Sequence, residues 1–160
     1  MTSIEIIVLG TPAPQGSKHG YAIKTKGAYT GKVAQVESSV KVKPWRMAVK
    51  YAAMEARAAY DQRVPMTSAV ALEVIFRLPR PKGHYGTGRN AGLLKPSSPW
   101  FPAGRPDLDK LLRSTFDALG EAGVWGDDSQ VVDVDAAKVY ADLDFLPGAW
   151  IRVSTTQDAA

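Results

Sequence analysis

Four aspartates in the second half of the chain, Asp107, Asp109, Asp127 and Asp128, are the residues whose type and spacing could do chemistry. The first two stand one residue apart and the last two are adjacent. Carboxylates gathered in one place repel one another unless a cation sits among them. Hard oxygen donors suit Mg²⁺ or Mn²⁺. Such a cation activates water and stabilises charge on a phosphoryl oxygen, so the chemistry suggested is metal-assisted hydrolysis. Each aspartate also has a plain structural use. Asp107 can cap a helix, Asp109 can favour its positive N-terminal end, and Asp127 with Asp128 can stabilise a turn. One cap suffices for a helix, so four acids exceed that need.

The element that must position them is a helix. Leu108, Leu111, Leu112, Phe116 and Leu119 repeat at helical spacing, and Gly120 and Gly123 supply the stop. A helix of this length runs about 20 Å. The two acidic pairs therefore meet only if the chain doubles back or a neighbouring strand brings the second pair alongside the first. Arg113 lies four residues after Asp109, hence on the same helix face, where it can orient a carboxylate or meet a phosphate.

The string Arg105-Pro-Asp-Leu-Asp-Lys-Leu111, then Phe116-Asp-Ala-Leu119, then Ala122-Gly-Val-Trp-Gly-Asp-Asp-Ser-Gln-Val-Val132 resembles the RusA-type Holliday-junction resolvases. The close match covers about Arg105 to Lys138, with a weaker one over the first strand, first helix and second strand. The resemblance implies a homodimeric, Mg²⁺-dependent endodeoxyribonuclease that cuts four-way DNA junctions by paired nicks. Its catalytic carboxylates fall on Asp107, Asp109 and Asp128, with Asp127 beside them as a further metal ligand. The family's functional lysine falls on Arg113, a departure. Lys110 stands where the family commonly has asparagine and can take part of the cationic role. An arginine cannot give up a proton near neutral pH, so Arg113 can hold charge but not shuttle a proton.

The rest of the chain supplies a scaffold and cations. Ile4–Leu9 alternates as a first strand, ended by Gly10 and a proline-rich turn running to Lys18. Residues 21–36 place Lys24, Lys26 and Lys32 among Tyr21, Tyr29 and turn glycines, the pattern of a basic hairpin that could bind DNA. Pro44 to about Asp61 reads as the first helix, with Trp45, Val49, Ala52, Ala56 and Tyr60 on one face and Arg46, Lys50 and Arg57 on the other. Ser68–Leu78 is the clearest strand, apolar on both faces and so expected to be covered on each side. Residues 79–106 form a long basic loop carrying Arg80, Lys82, His84, Arg89, Lys95 and Arg105 against no acids. Gln130–Tyr140 alternates as a strand, and Ala149–Thr155 is expected to pair back on it as a hairpin. The order β-α-β-α-β-β predicts an α+β domain over 1–160, a small mixed β-sheet with both helices packed on it.

Charge is segregated along the chain. Residues 1–106 carry 16 basic and 5 acidic side chains, a net +11, and residues 107–160 carry 4 and 11, a net −7. A basic body beside an acidic cluster suits a metal nuclease, cations for phosphates and carboxylates for the metal. Lys18, Lys24, Lys26, Lys50, Arg80, Lys82, Arg89 and Lys110 are the candidate DNA contacts. The absence of cysteine excludes disulfides and cysteine-bound zinc. With no apolar run long enough to span a bilayer and no signal-peptide pattern, a cytoplasmic location without a membrane partner is expected. A junction-binding protein with an inactive acidic site, and a Mg²⁺-dependent nucleotide pyrophosphatase, are the alternative functions.

Overall fold

Alternation along the strands and apolar stripes along the helices decide the architecture. In chain order the elements are β1 (Ser3–Leu9), β2 (His19–Thr25), β3 (Ala28–Val36), α1 (Val42–Ala59), β4 (Val70–Leu78), α2 (Leu108–Glu121), β5 (Val131–Tyr140) and β6 (Gly148–Thr155). The computed structural model describes residues 2–16, 19–36, 40–142 and 144–156. One sheet has the order β1-β6-β4-β5, parallel between β4 and β5 and antiparallel elsewhere. A second sheet holds only β2 and β3. The expected α+β class, with a mixed sheet and two packed helices, is therefore observed. The basic hairpin adds two strands to the expected order. Among the described residues, no helix is long and apolar enough to cross a membrane.

Both helices cover the same face of the larger sheet. Ile4, Ile6 and Val8 of β1, Val70, Leu72, Val74 and Phe76 of β4, and Ile151 and Val153 of β6 are essentially fully buried there. Against them pack Trp45, Val49 and Ala53 of α1 and Leu111, Ala118 and Leu119 of α2. The opposite face stays open, contrary to the double covering expected for β4. Ile7 and Leu9 are 65% and 63% exposed, and Arg152 bridges Glu5 and Glu73 at 2.9 and 3.3 Å. The alternate residues of β4, Ala71, Glu73, Ile75 and Arg77, are only partly apolar. They need no second layer.

The expected hairpin between the last two strands does not form. β6 inserts between β1 and β4, with Ser3 opposite Ser154 and Ile151 opposite both Ile6 and Val74. The burial of the two strands explains the choice. β6 has no exposed residue, whereas β5 has no buried one and occupies the edge. The close approach of β6 to β1 requires Gly148, because a Cβ there would meet the Val8 carbonyl oxygen at 1.9 Å.

The β2–β3 hairpin stands apart from this core. Thr25 pairs with Ala28, so Lys26 and Gly27 form the two-residue loop, with positive φ of 51° and 85°. That is the backbone of a tight primed turn. Residues 21–33 are all exposed. The 79–106 segment is tied down by its own bonds: Lys95 Nζ donates to the Gly83 carbonyl at 2.8 Å, Ser98 Oγ to that of His84 at 2.7 Å and Arg80 Nη1 to that of Pro99 at 2.9 Å.

Candidate metal centre and nucleic-acid interface

Asp107 occupies the cap position of α2 with extended backbone, φ −69° and ψ 138°, but its side chain makes no capping bond. Instead Asp107 Oδ2 accepts from Lys110 Nζ at 2.8 Å. That ammonium group, one turn along the helix, holds the Asp107 carboxyl below its ordinary value of 3.8 and is itself pushed up by the pairing. Arg105 and Lys138 add weaker attraction. Lys138 also fixes the chain just ahead of Asp107: its Nζ donates to the carbonyls of Gly104 at 2.6 Å and Pro106 at 2.9 Å. From the other side, residues 13–15 strap the helix. Ser114 Oγ donates to the Ala13 carbonyl at 2.8 Å, and the Gln15 amide donates to the Lys110 carbonyl at 3.0 Å. Asp109 lies in the first helical turn and Arg113 one turn further, both exposed.

At the far end of α2 the chain turns at Gly123, φ 72°. Arg57 Nη1 donates to the Ala122 carbonyl at 2.6 Å and fills the space a side chain at 123 would need. Trp125 then drops into the core, edge-on to Phe116 with ring centres 5.7 Å apart, and its indole N–H donates to Asp128 Oδ1 at 2.8 Å. Asp127 caps the short helical turn that follows, accepting from the Ser129 amide at 2.8 Å. Hydrogen bonds from Ser129 hold the Asp127 carboxyl below its ordinary range. Gln130 supports the whole turn. Its Oε1 accepts from the amides of Gly126 and Asp127, and its Nε2 donates to the carbonyls of Met66 and Ser68. An open cleft of about 370 Å³ lies beside these acids, with Arg46 on its wall. Arg46 is paired with Asp117 at 3.5 Å and with Glu121.

The four aspartates therefore stand in two places. Asp107 and Asp109 stand at the start of α2, whereas Asp128 packs back against Gly120 near its end, and the rise from Asp109 to Gly120 is about 16 Å at 1.5 Å per residue. Among the described residues of one chain, no three carboxylate or histidine side chains gather to hold a metal ion. The expected four-aspartate cluster does not form within a single chain. The turn after α2 folds Asp128 back onto Gly120 in the last helical turn, not onto the first turn where Asp107 and Asp109 stand. Each place taken alone offers two carboxylates with solvent-facing oxygens, an incomplete hard-cation site.

The expected DNA contacts fall into three groups. Lys24 and Lys26 lie on the exposed hairpin, Lys24 with its ammonium 4.5 Å from the Tyr29 ring centre. Lys82 and Arg89 lie on short exposed turns of the 79–106 segment. Lys50, Arg80 and Lys110 already have partners: Glu121 at 3.6 Å, the Tyr140 ring at 4.2 Å, and Asp107. Lys18 lies outside the described residues. Sequence reasoning assigned no role to Trp125, Gln130 or Lys138. For Lys138 a signal existed, since it interrupts the otherwise apolar side of β5 formed by Val132, Val134, Ala136 and Tyr140. A lysine there must find acceptors nearby.

Acidic side chains of a kind that takes hard cations, on a scaffold that carries a detached basic hairpin, suit a hydrolytic nuclease. Residues 12–153 match the family described as Endodeoxyribonuclease RusA, and the chain belongs to that family. It is 28% identical to the uncharacterized protein YqaN of Bacillus subtilis (strain 168) over 147 residues, 89% of this chain and 91% of that protein. A stretch of 35 residues, 22% of the chain, is 54% identical to the crossover junction endodeoxyribonucleases RusA of Enterobacteria phage 82 and of Escherichia coli (strain K12). That stretch covers 29% of each of those proteins.

Proposed function

We propose that the protein is a Mg²⁺-dependent endodeoxyribonuclease that cuts four-way DNA junctions as a homodimer, in the recombination and repair of DNA in the cytoplasm, with Mn²⁺ as a second competent cation. The observation that carries the reading is the placement of the acids at opposite ends of α2. A two-fold axis that runs one α2 antiparallel to its mate brings the Asp128 of the partner subunit to Asp107 and Asp109, and the reverse. The surface between the two half-sites suits such pairing. Leu112 and Phe116 of α2 are only partly buried, and Val132 and Val134 of β5 are 62% and 41% exposed. An exposed apolar strip of this kind favours a partner.

In that arrangement Asp107, Asp109 and Asp128 hold the cation, with Asp127 beside them. When bound, the cation activates water and stabilises the charge that builds on the phosphate. The chain's own residues do the rest. Lys110 and Lys138 fix Asp107, Trp125 fixes Asp128, and the exposed guanidinium of Arg113 steadies a non-bridging phosphate oxygen. Lys24, Lys26 and Lys32 of the hairpin, with Lys82 and Arg89, grip the DNA backbone and make affinity fall with salt. Two sites related by the two-fold axis nick two strands symmetrically.

Mixing two inactive variants tests the whole reading. In a mixed dimer of Asp107→Asn and Asp128→Asn chains, one site loses both carboxylates and the other keeps all of them. Neither variant alone should cut a labelled junction in Mg²⁺, while the mixture should recover nicking. A mixture as dead as its components means that the sites are not shared. Wild-type protein that binds the junction without nicking it in Mg²⁺ would reassign the chain to junction binding.

A further inference from the structure

A pocket of about 410 Å³ opens next to Asp107, between residues 11–14, the end of β4 with the prolines that follow, and residues 102–106. Six prolines line it, together with Leu78 and Tyr140, and its charged side chains are Lys41 and Arg105. No acid among the described residues lines it. We propose that this pocket receives a nucleobase unstacked from the DNA at the point of cleavage. The inference rests on the nuclease reading above and names a subsite for it.

Three features select that occupant. Proline has no backbone N–H and a fixed φ, so its rings make a rigid apolar wall with few donors. Such a wall cannot pair with an added peptide strand, which needs a ladder of main-chain bonds, but it accepts the flat face of an aromatic ring. Its volume is at the small end of ligand pockets, about 300–1,000 Å³, enough for one nucleotide. Tyr140 is held in place by the Arg80 guanidinium, which covers one face of its ring 4.2 Å from the centre, and by His84 in a T-shaped contact at 5.4 Å, so it is a fixed part of the wall rather than a mobile side chain. Stacking on aromatic side chains is the usual sequence-tolerant way of holding a bare base.

Position completes the argument. Arg105 and Pro106 both line the pocket and directly precede Asp107. A phosphate held at Asp107 therefore has its attached nucleotide at the pocket mouth, where the Lys41 and Arg105 charges suit the flanking phosphates. Opening the centre of a four-way junction breaks the stacking between its arms, which lowers the cost of extruding a base there.

The test uses the full-length protein and four-way junctions carrying 2-aminopurine at one position near the branch point, in EDTA so that nothing is cut. 2-Aminopurine brightens when it leaves the base stack. Wild-type binding should raise its fluorescence several-fold at one position beside the cleaved phosphate. Gly104→Trp should abolish that rise: Gly104 lines the pocket, no atom lies within 4 Å of an added Cβ, and its φ is not positive, so the ring can fill the space without strain. Thr11→Trp, from the opposite wall and at an exposed residue, should do the same, and Gly104→Ala should keep the rise. Junction affinity, measured by fluorescence anisotropy, should stay within about three-fold, because the backbone contacts that dominate affinity are untouched. A rise that persists in both Trp variants reports general opening of the junction and overturns the pocket; so does no rise at any position when the junction is bound. Loss of junction binding by the wild type would instead sink the nuclease reading.

Discussion

The two ends of α2 carry the same kind of side chain and hold it by opposite means. At the N-terminal end Asp107 is exposed and kept in place by charge, with Lys110 at 2.8 Å and Lys138 pinning the carbonyls just ahead of it. At the C-terminal end Asp128 and Asp127 are held by neutral donors, the Trp125 indole, the Ser129 amide and a turn that Gln130 braces with four hydrogen bonds. Charge attracts over distance but is screened by salt. Neutral hydrogen bonds from a buried tryptophan fix a direction and ignore salt. The N-terminal end is therefore the adjustable one, and the C-terminal end is the fixed frame.

The comparison breaks outright if either end proves dispensable. Asp107→Asn and Asp128→Asn should each reduce junction cleavage to background in single-turnover assays, because each removes a ligand that the other end cannot replace. Binding should hold or tighten in gel-shift titrations, since a negative charge beside phosphates is gone. Next in size is Arg113→Ala, expected to slow the single-turnover rate by about 10²–10³-fold, the scale of one lost transition-state donor. Arg113→Lys should recover much of that rate, since it restores the charge.

Smaller changes sharpen the difference between the ends. Trp125→Phe removes the bond to Asp128 and Lys138→Met releases the carbonyls ahead of Asp107. Each should weaken the Mg²⁺ dependence of cleavage by about 10–100-fold, the usual range for losing an outer support of a metal ligand. Trp125→Phe should leave the salt dependence of the rate unchanged.

The smallest effect is on titration. Asp107 has its carboxyl pKa below 3.8, so its pairing with Lys110 favours the fold above that value and is lost as pH falls through the lowered one. Lys110→Met, or an ionic strength of about 1 M where screening acts within about 3 Å, should move the Asp107 pKa up in carboxylate-detected NMR. That of Asp127, lowered by Ser129 hydrogen bonds, should hardly move with salt.

What could be read from the sequence was local. The start of α2, the basic hairpin within residues 21–36 and the alternation of β4 follow from neighbours within a few residues. The acids themselves were recognisable as a set by composition and spacing. Whether they meet was not, because that depends on the direction in which the chain leaves Gly123. The partner of β6 was also hidden: Ala149–Thr155 alternates as well for a hairpin with β5 as for a place between β1 and β4, and only total burial separates the two. Lys138 acquires its role through the parallel pairing of β5 with β4, which carries it to the level of Pro106; nothing near it in sequence announces those carbonyls.

The position of β6 has a consequence for how the chain is made. Thr2 and Thr155, bonded across the sheet at 2.9 Å, are 153 residues apart in sequence. β1 leaves the ribosome well before β6, yet among the described residues β6 is its sheet neighbour. Until then β1 and one side of β4 present unpaired amides and carbonyls, with Ile4, Ile6 and Val8 still wet. Pairings that close such long loops form slowly, and unpaired strands invite other chains. The nascent chain is therefore prone to aggregate until β6 has emerged, and the keystone of its sheet follows both strands that it joins.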